Sequence, residues 1–339
     1  MRRRLLMTAV LSGLLVLGGW TAAGRAATTI KIATVAPEGS TWMNVMDELK
    51  EKVTEETGGR VKLRFYAGGI QGDELIVLRK MYSGQLHGAG LTGVGLGELA
   101  PSLRVLELPL LFRTQEEVDL VHKKMDPVFE SILMDKGFTL LGWSEVGFVY
   151  LFSKEPVRNH ADLKQLKVWL WEGDPLAEAF LEELAVSPVP LAVTDVMTGL
   201  QTGLIEAVYI SPLGAVALQW YTRVSYMTGV PLTHALGAVV VKNRILEKLS
   251  AEDRDTLMRL SDEAFAKLAK QTAQENDRAL EVLKERGITV VEPEPGAQEA
   301  FLEIGRRVRQ KLTGRLYDRS LLDRVLEVLK NARTGDTQP

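Results

Sequence analysis

Alternation constrains this chain more than any single motif. Short stretches of period 2 are interleaved with stretches of period near 3.6, and a polypeptide that keeps changing period this way folds as strand, helix, strand, helix. Residues 29–34, Thr-Ile-Lys-Ile-Ala-Thr, have the strand period. Past Pro37 and Gly39, Trp42, Val45, Met46, Leu49 and Val53 recur at helical spacing, and Gly58-Gly59 supplies the stop. Residues 61–66 form a second strand pattern ended by Gly68-Gly69. Asp73 then stands where it would cap a helix carrying Leu75, Leu78 and Met81, and residues 86–92 are small and apolar like a buried strand. This order predicts a parallel, doubly wound sheet.

A second unit begins near residue 138. Residues 138–142 and 148–152 read as strands, 166–171 as another, 175–184 as a helix. Pro188 and Pro190 interrupt before a helix over 195–203 and short strands over 207–210 and 235–242, the last returning the chain to the first unit. From Ser250 to Arg286 runs a long amphipathic stretch, with Ser250 and Asp253 spaced as a capping box. A helix of about 37 residues is ~55 Å long, enough to cross two domains. A strand over 288–291, helices over 300–312 and 320–329, and a polar end complete the chain. The expected architecture is two doubly wound α/β domains with a central ligand cleft and a long domain-spanning helix. Domain I takes 27–148 plus 236–275, domain II takes 149–235 plus 276–330, and 331–339 is a flexible tail. A cleft between domains is a natural ligand site.

The first 26 residues stand apart. Arg2, Arg3 and Arg4 precede an apolar run from Leu5 to Trp20, and Gly24 and Ala26 put small residues where a signal peptidase needs them. An apolar run of about 16 residues is short of the ~20 that span a bilayer, so a cleaved secretory signal and a periplasmic protein are expected. Its loss removes Arg2, Arg3, Arg4 and Arg25 and takes the net charge from −3 to −7. So acidic a chain argues against nucleic-acid binding. The chain has no cysteine, which excludes disulfides, thiolate metal sites, a cysteine nucleophile and a lipidated N-terminal cysteine.

Candidate chemistry is sparse. Gly88-Ala89-Gly90-Leu91-Thr92-Gly93 matches G-x-G-x-x-G, but the glycines fall inside a strand pattern and no acid stands about twenty residues on, so close packing explains them better than a dinucleotide. His87, His122, His160 and His234 have no metal-ligand spacing. Gly142-Trp143-Ser144-Glu145-Val146-Gly147 is one residue too long for a nucleophile elbow. The acid pairs Glu182-Glu183 and Glu172 with Asp174 fit helix starts and solvated faces. No nucleophile, base and orienting group assemble, and no metal or cofactor is called for; binding is expected rather than catalysis.

Several motifs in order resemble one family. Residues 33–42 (Ala-Thr-Val-Ala-Pro-Glu-Gly-Ser-Thr-Trp), 57–61 (Thr-Gly-Gly-Arg-Val), 67–72 (Ala-Gly-Gly-Ile-Gln-Gly), 108–112 (Leu-Pro-Leu-Leu-Phe), 162–167 (Asp-Leu-Lys-Gln-Leu-Lys) and the helix ending near Glu206 are similar to the DctP-type solute-binding proteins of TRAP transporters. The resemblance implies a two-domain receptor that closes by a hinge over a small molecule and hands it to TRAP membrane subunits, as a monomer or homodimer. It also shows departures. The position where the family carries an arginine that grips a carboxylate bidentately is Trp169. Val149 follows Gly147-Phe148 where a second arginine is frequent, and Ile210-Ser211-Pro212 replaces an asparagine-proline. A related branch lacking the arginine works beside a tetratricopeptide partner, and that partner is a further expectation.

If the strand over 166–171 keeps its alternation, Lys167, Trp169 and Trp171 share one face, and Trp169 turns to the cleft. Two indoles there would stack on an apolar or aromatic ligand. The expected ligand-binding set is Trp42, Gly69, Thr92, Phe148, Tyr150, Trp169, Trp171, Val193, Tyr209, Ser211, Trp220 and His234. The alternatives that stay open are an organic acid held by Arg79, Arg113 or Arg223, a sensor that presents its ligand to another protein, and a lipid shuttle.

Overall fold

The computed structural model describes residues 27–334; the expected signal sequence and the last five residues lie outside them. The chain opens as β1 (Thr28–Thr34), α1 (Thr41–Glu56), β2 (Val61–Tyr66), α2 (Glu74–Tyr82), β3 (Gly88–Thr92) and α3 (Gly93–Leu99). A 3-10 segment, Pro101–Glu107, leads to α4 (Gln115–Asp135) and β4 (Phe138–Ser153). Then come α5 (His160–Leu163), β5 (Trp169–Trp171), α6 (Pro175–Glu183), β6 (Val189–Leu191), α7 (Val196–Thr202), β7 (Ala207–Ile210), α8 (Pro212–Ala217) and β8 (Tyr226–Thr228). The chain ends with β9 (Thr233–Lys242), α9 (Asn243–Leu246), α10 (Ala251–Glu285), β10 (Thr289–Val291), α11 (Ala297–Leu312) and α12 (Arg319–Thr334).

Two lobes share one eight-stranded sheet. In the first lobe β2, β1 and β3 are parallel, and β9 and β4 continue the sheet antiparallel. The sheet is therefore mixed rather than purely parallel. The far end of β4 pairs with β7 and β8, and β8 with β10, to form the second lobe; β5 and β6 make a small parallel sheet of their own. The stretch expected as two strands at 138–142 and 148–152 is one strand, β4, bent by irregularities between Leu140 and Gly142 and between Glu145 and Gly147. Bulges let one strand change direction and serve two lobes. The left-handed Gly147 makes the second bend, with Asn276 packed against it; Asn276 Nδ2 donates to the Val146 carbonyl at 3.1 Å, and its Oδ1 accepts from Leu213 N at 3.1 Å.

Helices cover both faces of the first half-sheet. Val45, Met46, Leu49 and Val53 of α1 and Leu257, Leu260, Phe265 and Leu268 of α10 pack on Ile30, Ile32, Val61 and Leu63. Ser40 and Ser250 cap these helices, accepting from Met43 N and Asp253 N. α10 spans 35 residues and reaches α8 in the second lobe, as its length predicts. α4 fills a segment to which periodicity assigned nothing; it carries Pro127 internally and starts at a Thr114 cap. The chain end departs from expectation. α11 packs on α6, with Arg307 and Lys311 paired to Glu183 and Glu182, whereas α12 packs on α4 in the first lobe. Residues 331–334 are helical, not tail: Arg333 pairs with Glu117 and donates to the Leu111 carbonyl at 2.8 Å.

Candidate functional site

Between the lobes lies a cavity of about 170 Å³, walled mostly by apolar side chains. Its second-lobe wall is aromatic. Trp169 is 1% exposed and sits at the middle of a cluster: it stacks on Tyr209 at 4.9 Å, meets Trp220 edge-on at 5.3 Å and lies tilted against Trp171 at 5.8 Å. The regular strand is only β5, yet Trp169 and Trp171 both line the cavity, as alternation requires. Trp169 and Trp171 each have their polar atom satisfied, as buried tryptophans demand. Trp169 Nε1 donates to the Leu191 carbonyl at 3.0 Å, and Trp171 Nε1 to Asp73 Oδ2 at 3.0 Å. The Tyr209 hydroxyl accepts from Trp171 N at 3.0 Å, and desolvation drives its phenol far above the usual range, so it stays uncharged.

The first-lobe wall is charged. Arg104 and Glu107, both in the 3-10 segment, face the cavity with Asp174 from the start of α6. Arg104 Nη1 lies 2.6 Å from Glu107 Oε2, and Nη2 lies 2.6 Å from Asp174 Oδ1; none of the three is more than 6% exposed. Glu107 Oε1 accepts from Leu236 N at 2.9 Å, and Asp174 also caps α6 through Leu176 N and Ala177 N. Burial pushes the Glu107 carboxyl up against the pull of Arg104. One guanidinium between two carboxylates leaves the cluster with a net negative charge when both acids are ionised.

Glycines make room for these charges. A Cβ on Gly93 would lie 1.6 Å from Glu107 Oε2, one on Gly97 2.7 Å from Arg104 Cδ, and one on Gly95 2.7 Å from Glu74 Oε2. The G-x-G-x-x-G run does straddle a strand-to-helix junction, with Gly93 opening α3. The start of that helix already holds an internal carboxyl group. Glu74 accepts from Thr92 N and Gly95 N at 2.7 Å each and from Thr92 Oγ1 at 3.0 Å, where a pyrophosphate would need those donors. The packing reading of the motif therefore stands, for a more specific reason than strand position. Burial pushes the Glu74 carboxyl up to about 7 despite its three donors.

Asp73 joins the walls. Its Oδ1 caps α2 by accepting from Glu74 N at 2.8 Å, and its Oδ2 takes Trp171 Nε1 and, at 3.3 Å, Val193 N from the second lobe. Arg104–Asp174 crosses between the same lobes. The cleft is thus closed in this structure.

Of the expected set, Thr92, Trp169, Trp171, Val193, Tyr209, Ser211 and Trp220 line the cavity. Thr92 and Ser211 spend their hydroxyls on helix caps, accepting from Val94 N and Gly214 N. Five residues lie elsewhere. Phe148 and Tyr150 fall on the opposite face of β4, which gives Val149 and Leu151 to the cavity. His234 is buried between the rings of Phe112 and Phe148, and desolvation lowers its pKa to about 3, so it is neutral. Trp42 packs edge-on to Phe65 and against Gly90. Gly69, left-handed at φ 71°, sits on the lobe contact beside Thr194. Arg79, Arg113 and Arg223 are exposed and outside the lining. Sequence reasoning missed Arg104, Glu107 and the second role of Asp174; their only local trace is the glycine spacing across α3. Among the described residues no group of three or more His, Asp or Glu side chains is placed to hold a metal ion.

Two α/β lobes that share strands and close on a cavity between them define a two-lobed solute-binding protein of the periplasmic binding type. The chain belongs to the DctP family, bacterial extracellular solute-binding protein family 7, whose model matches residues 32–315. Proteins of this family bind solutes and are not enzymes. A solute-binding protein of Chromohalobacter salexigens is 24% identical over 221 residues, covering 65% of this chain and 66% of that protein, just under two thirds of its length. The 2,3-diketo-L-gulonate-binding periplasmic protein YiaO of Escherichia coli is 25% identical over 249 residues, 72% of this chain and 75% of its own. Among solved structures, a TRAP periplasmic solute-binding protein of Xanthobacter autotrophicus with bound β-D-galacturonate superposes with a TM-score of 0.82 at 16% identity, covering 88% of this chain and 98% of that one. DctP7 of Bordetella pertussis, an extracytoplasmic solute receptor binding pyroglutamic acid, also gives 0.82, at 18% identity and 90% and 100% coverage. At these identities the structural likeness shows the fold.

Proposed function

We propose that this protein is the periplasmic receptor of a TRAP transporter, that it captures a small, largely apolar molecule by cleft closure, and that it delivers it to membrane subunits. The observation that carries the ligand class is Trp169. At the position where the resemblance expects an arginine, the cavity has an indole whose N–H is already used and whose faces and edge are packed by three further aromatic rings. The cation on the cavity's buried wall, Arg104, is held by two acids, so a carboxylate entering there meets net negative charge. A periplasmic location fits the leader expected at 1–26, and no helix among the described residues is long and apolar enough to cross a membrane. A tetratricopeptide partner belongs to the same reading, through the resemblance to the arginine-lacking branch.

A second reading, a receptor for an organic acid, is favoured by the solved relatives, whose bound molecules are galacturonate and pyroglutamic acid, and by the place of Arg104 on the cavity wall. Mass spectrometry of what co-purifies with the folded protein, released by denaturation and extracted into organic solvent, separates the two. One defined apolar molecule near stoichiometric amount supports the first; a small polar acid overturns it. Trp169→Arg is expected to abolish binding of that apolar molecule, and an unchanged affinity would move the pocket away from Trp169.

A further inference from the structure

The cavity does not end at the aromatic cluster. It continues into the second lobe as a gallery between the sheet and the helices α5, α6 and α11. Its lining takes in Leu151 and Val291 from the strands, Leu163, Phe180 and Phe301 from the helices, and the exposed Arg158 and Gln298. Interiors are normally packed to crystal density, and an apolar void stays dry and accepts apolar molecules. An apolar lining that runs from the aromatic cluster to exposed polar residues suits an elongated apolar ligand.

The gallery's polar end is equally specific. Arg104 is 4% exposed, and its Nη1 and Nη2 are taken by Glu107 and Asp174, but its Nε has no hydrogen-bond partner. A buried N–H of a guanidinium left without an acceptor is costly. The acceptor that suits it is uncharged. A carboxylate would be a third acid around one guanidinium in a dry site, where unbalanced charge is heavily penalised.

Building on the receptor reading above, we infer that the ligand is an elongated, uncharged amphiphile: an aliphatic chain lies in the gallery beneath α6, and a neutral oxygen at its head, a hydroxyl or carbonyl, accepts from Arg104. The aromatic cluster covers the first carbons of the chain, and Arg158 and Gln298 flank its far end.

The test is calorimetric titration of the mature protein with toluene, with 1-alkanols from butanol to decanol, and with decanoate. Affinity for the alkanols is expected to rise about three- to fourfold per methylene, with decanol bound more tightly than decanoate at pH 7.5. Ala177→Phe fills the gallery from α6 and is expected to weaken decanol at least about tenfold, the loss of two methylenes or more of burial. Val157→Phe does the same from another wall, and circular dichroism identifies which variant has folded. If toluene binds but alkanol affinity is flat with length, or decanol binding is untouched in the folded variant, the gallery is not a chain site and the apolar receptor reading stands. If decanoate binds more tightly than decanol, the neutral head is wrong. If neither toluene nor any alkanol binds, both readings fall.

Discussion

The first lobe presents the cavity with charge cushioned by glycine; the second presents it with stacked aromatic rings. On one side Arg104 and Glu107 are buried against Gly97 and Gly93, and Glu74, outside the lining, against Gly95, each fitting where a methyl group would collide. On the other, Trp169, Trp171, Tyr209 and Trp220 close on one another, with the polar atoms of Trp169, Trp171 and Tyr209 already hydrogen-bonded. The difference teaches where selectivity resides. The aromatic wall supplies non-directional burial, and the charged wall supplies an unfilled directional contact at Arg104 Nε.

The charged wall is the more fragile, and breaking it has the largest expected effect. Arg104→Met fills similar volume but leaves Glu107 and Asp174 buried without their cation. Removing one partner of a buried ion pair typically costs about 3–5 kcal/mol, so urea unfolding at pH 7.5 is expected to show a loss of that order. At pH 5 the loss is expected to shrink, because acids deprived of Arg104 take up protons more readily. A loss below about 1 kcal/mol, the scale of an exposed pair, would mean that the cluster is solvated and that this wall is not dry.

Glu74 gives the next effect, and it has a sign. The folded carboxyl keeps its proton up to about 7, against 4.5 for an ordinary glutamate. Between those values the folded protein binds a proton that the unfolded chain has released, so stability is present at the acid end and falls as pH rises through the window. At roughly 1.4 kcal/mol per pKa unit the fall approaches about 3 kcal/mol. Glu74→Gln removes the ionisable group and is expected to flatten the difference in unfolding free energy between pH 4.5 and 7.5. A slope that persists unchanged in the variant would assign it to another group.

How legible each wall was in the sequence follows from the range of its interactions. Helices with local punctuation were readable: α1 and α10 announce themselves by apolar spacing and by Ser40 and Ser250, and Asp73 was recognisable as a cap. The aromatic wall was partly readable, since Trp169 and Trp171 lie two residues apart and two-residue spacing puts them on one face. Alternation alone does not say which face of β4 meets the cavity. Phe148 and Tyr150 are as apolar as Val149 and Leu151, and the bend at Glu145–Gly147 decides between them. The charged wall was hidden, because Arg104 meets Asp174 across 70 positions of sequence and an isolated acid before a helix reads as a cap. Asp174 is indeed a cap, and the same oxygen also holds Arg104. The α4 segment was hidden for a local reason: Pro127 breaks the helical reading that Thr114 and the acidic first turn would otherwise support.

The smallest expected effect tests the seam between the walls. Trp171→Phe keeps an aromatic ring in the cavity and removes the N–H that reaches Asp73 across the cleft, while Val193 N still donates to the same carboxylate. A hydrogen bond to a charged acceptor contributes about 1.5–3 kcal/mol. Because Asp73 keeps its second donor, the low end applies, about 1.5 kcal/mol, which shifts a closed-to-open ratio roughly tenfold. That shift belongs to closure and not to folding: the substitution leaves the buried residues of the hydrophobic clusters unchanged, so the urea midpoint is expected to move little. Small-angle scattering of the ligand-free protein should give a larger radius of gyration for Trp171→Phe than for the parent, with Asp73→Asn moving in the same direction. If both variants scatter as the parent does, the Asp73 bridge does not hold the lobes together, and closure rests on Arg104–Asp174.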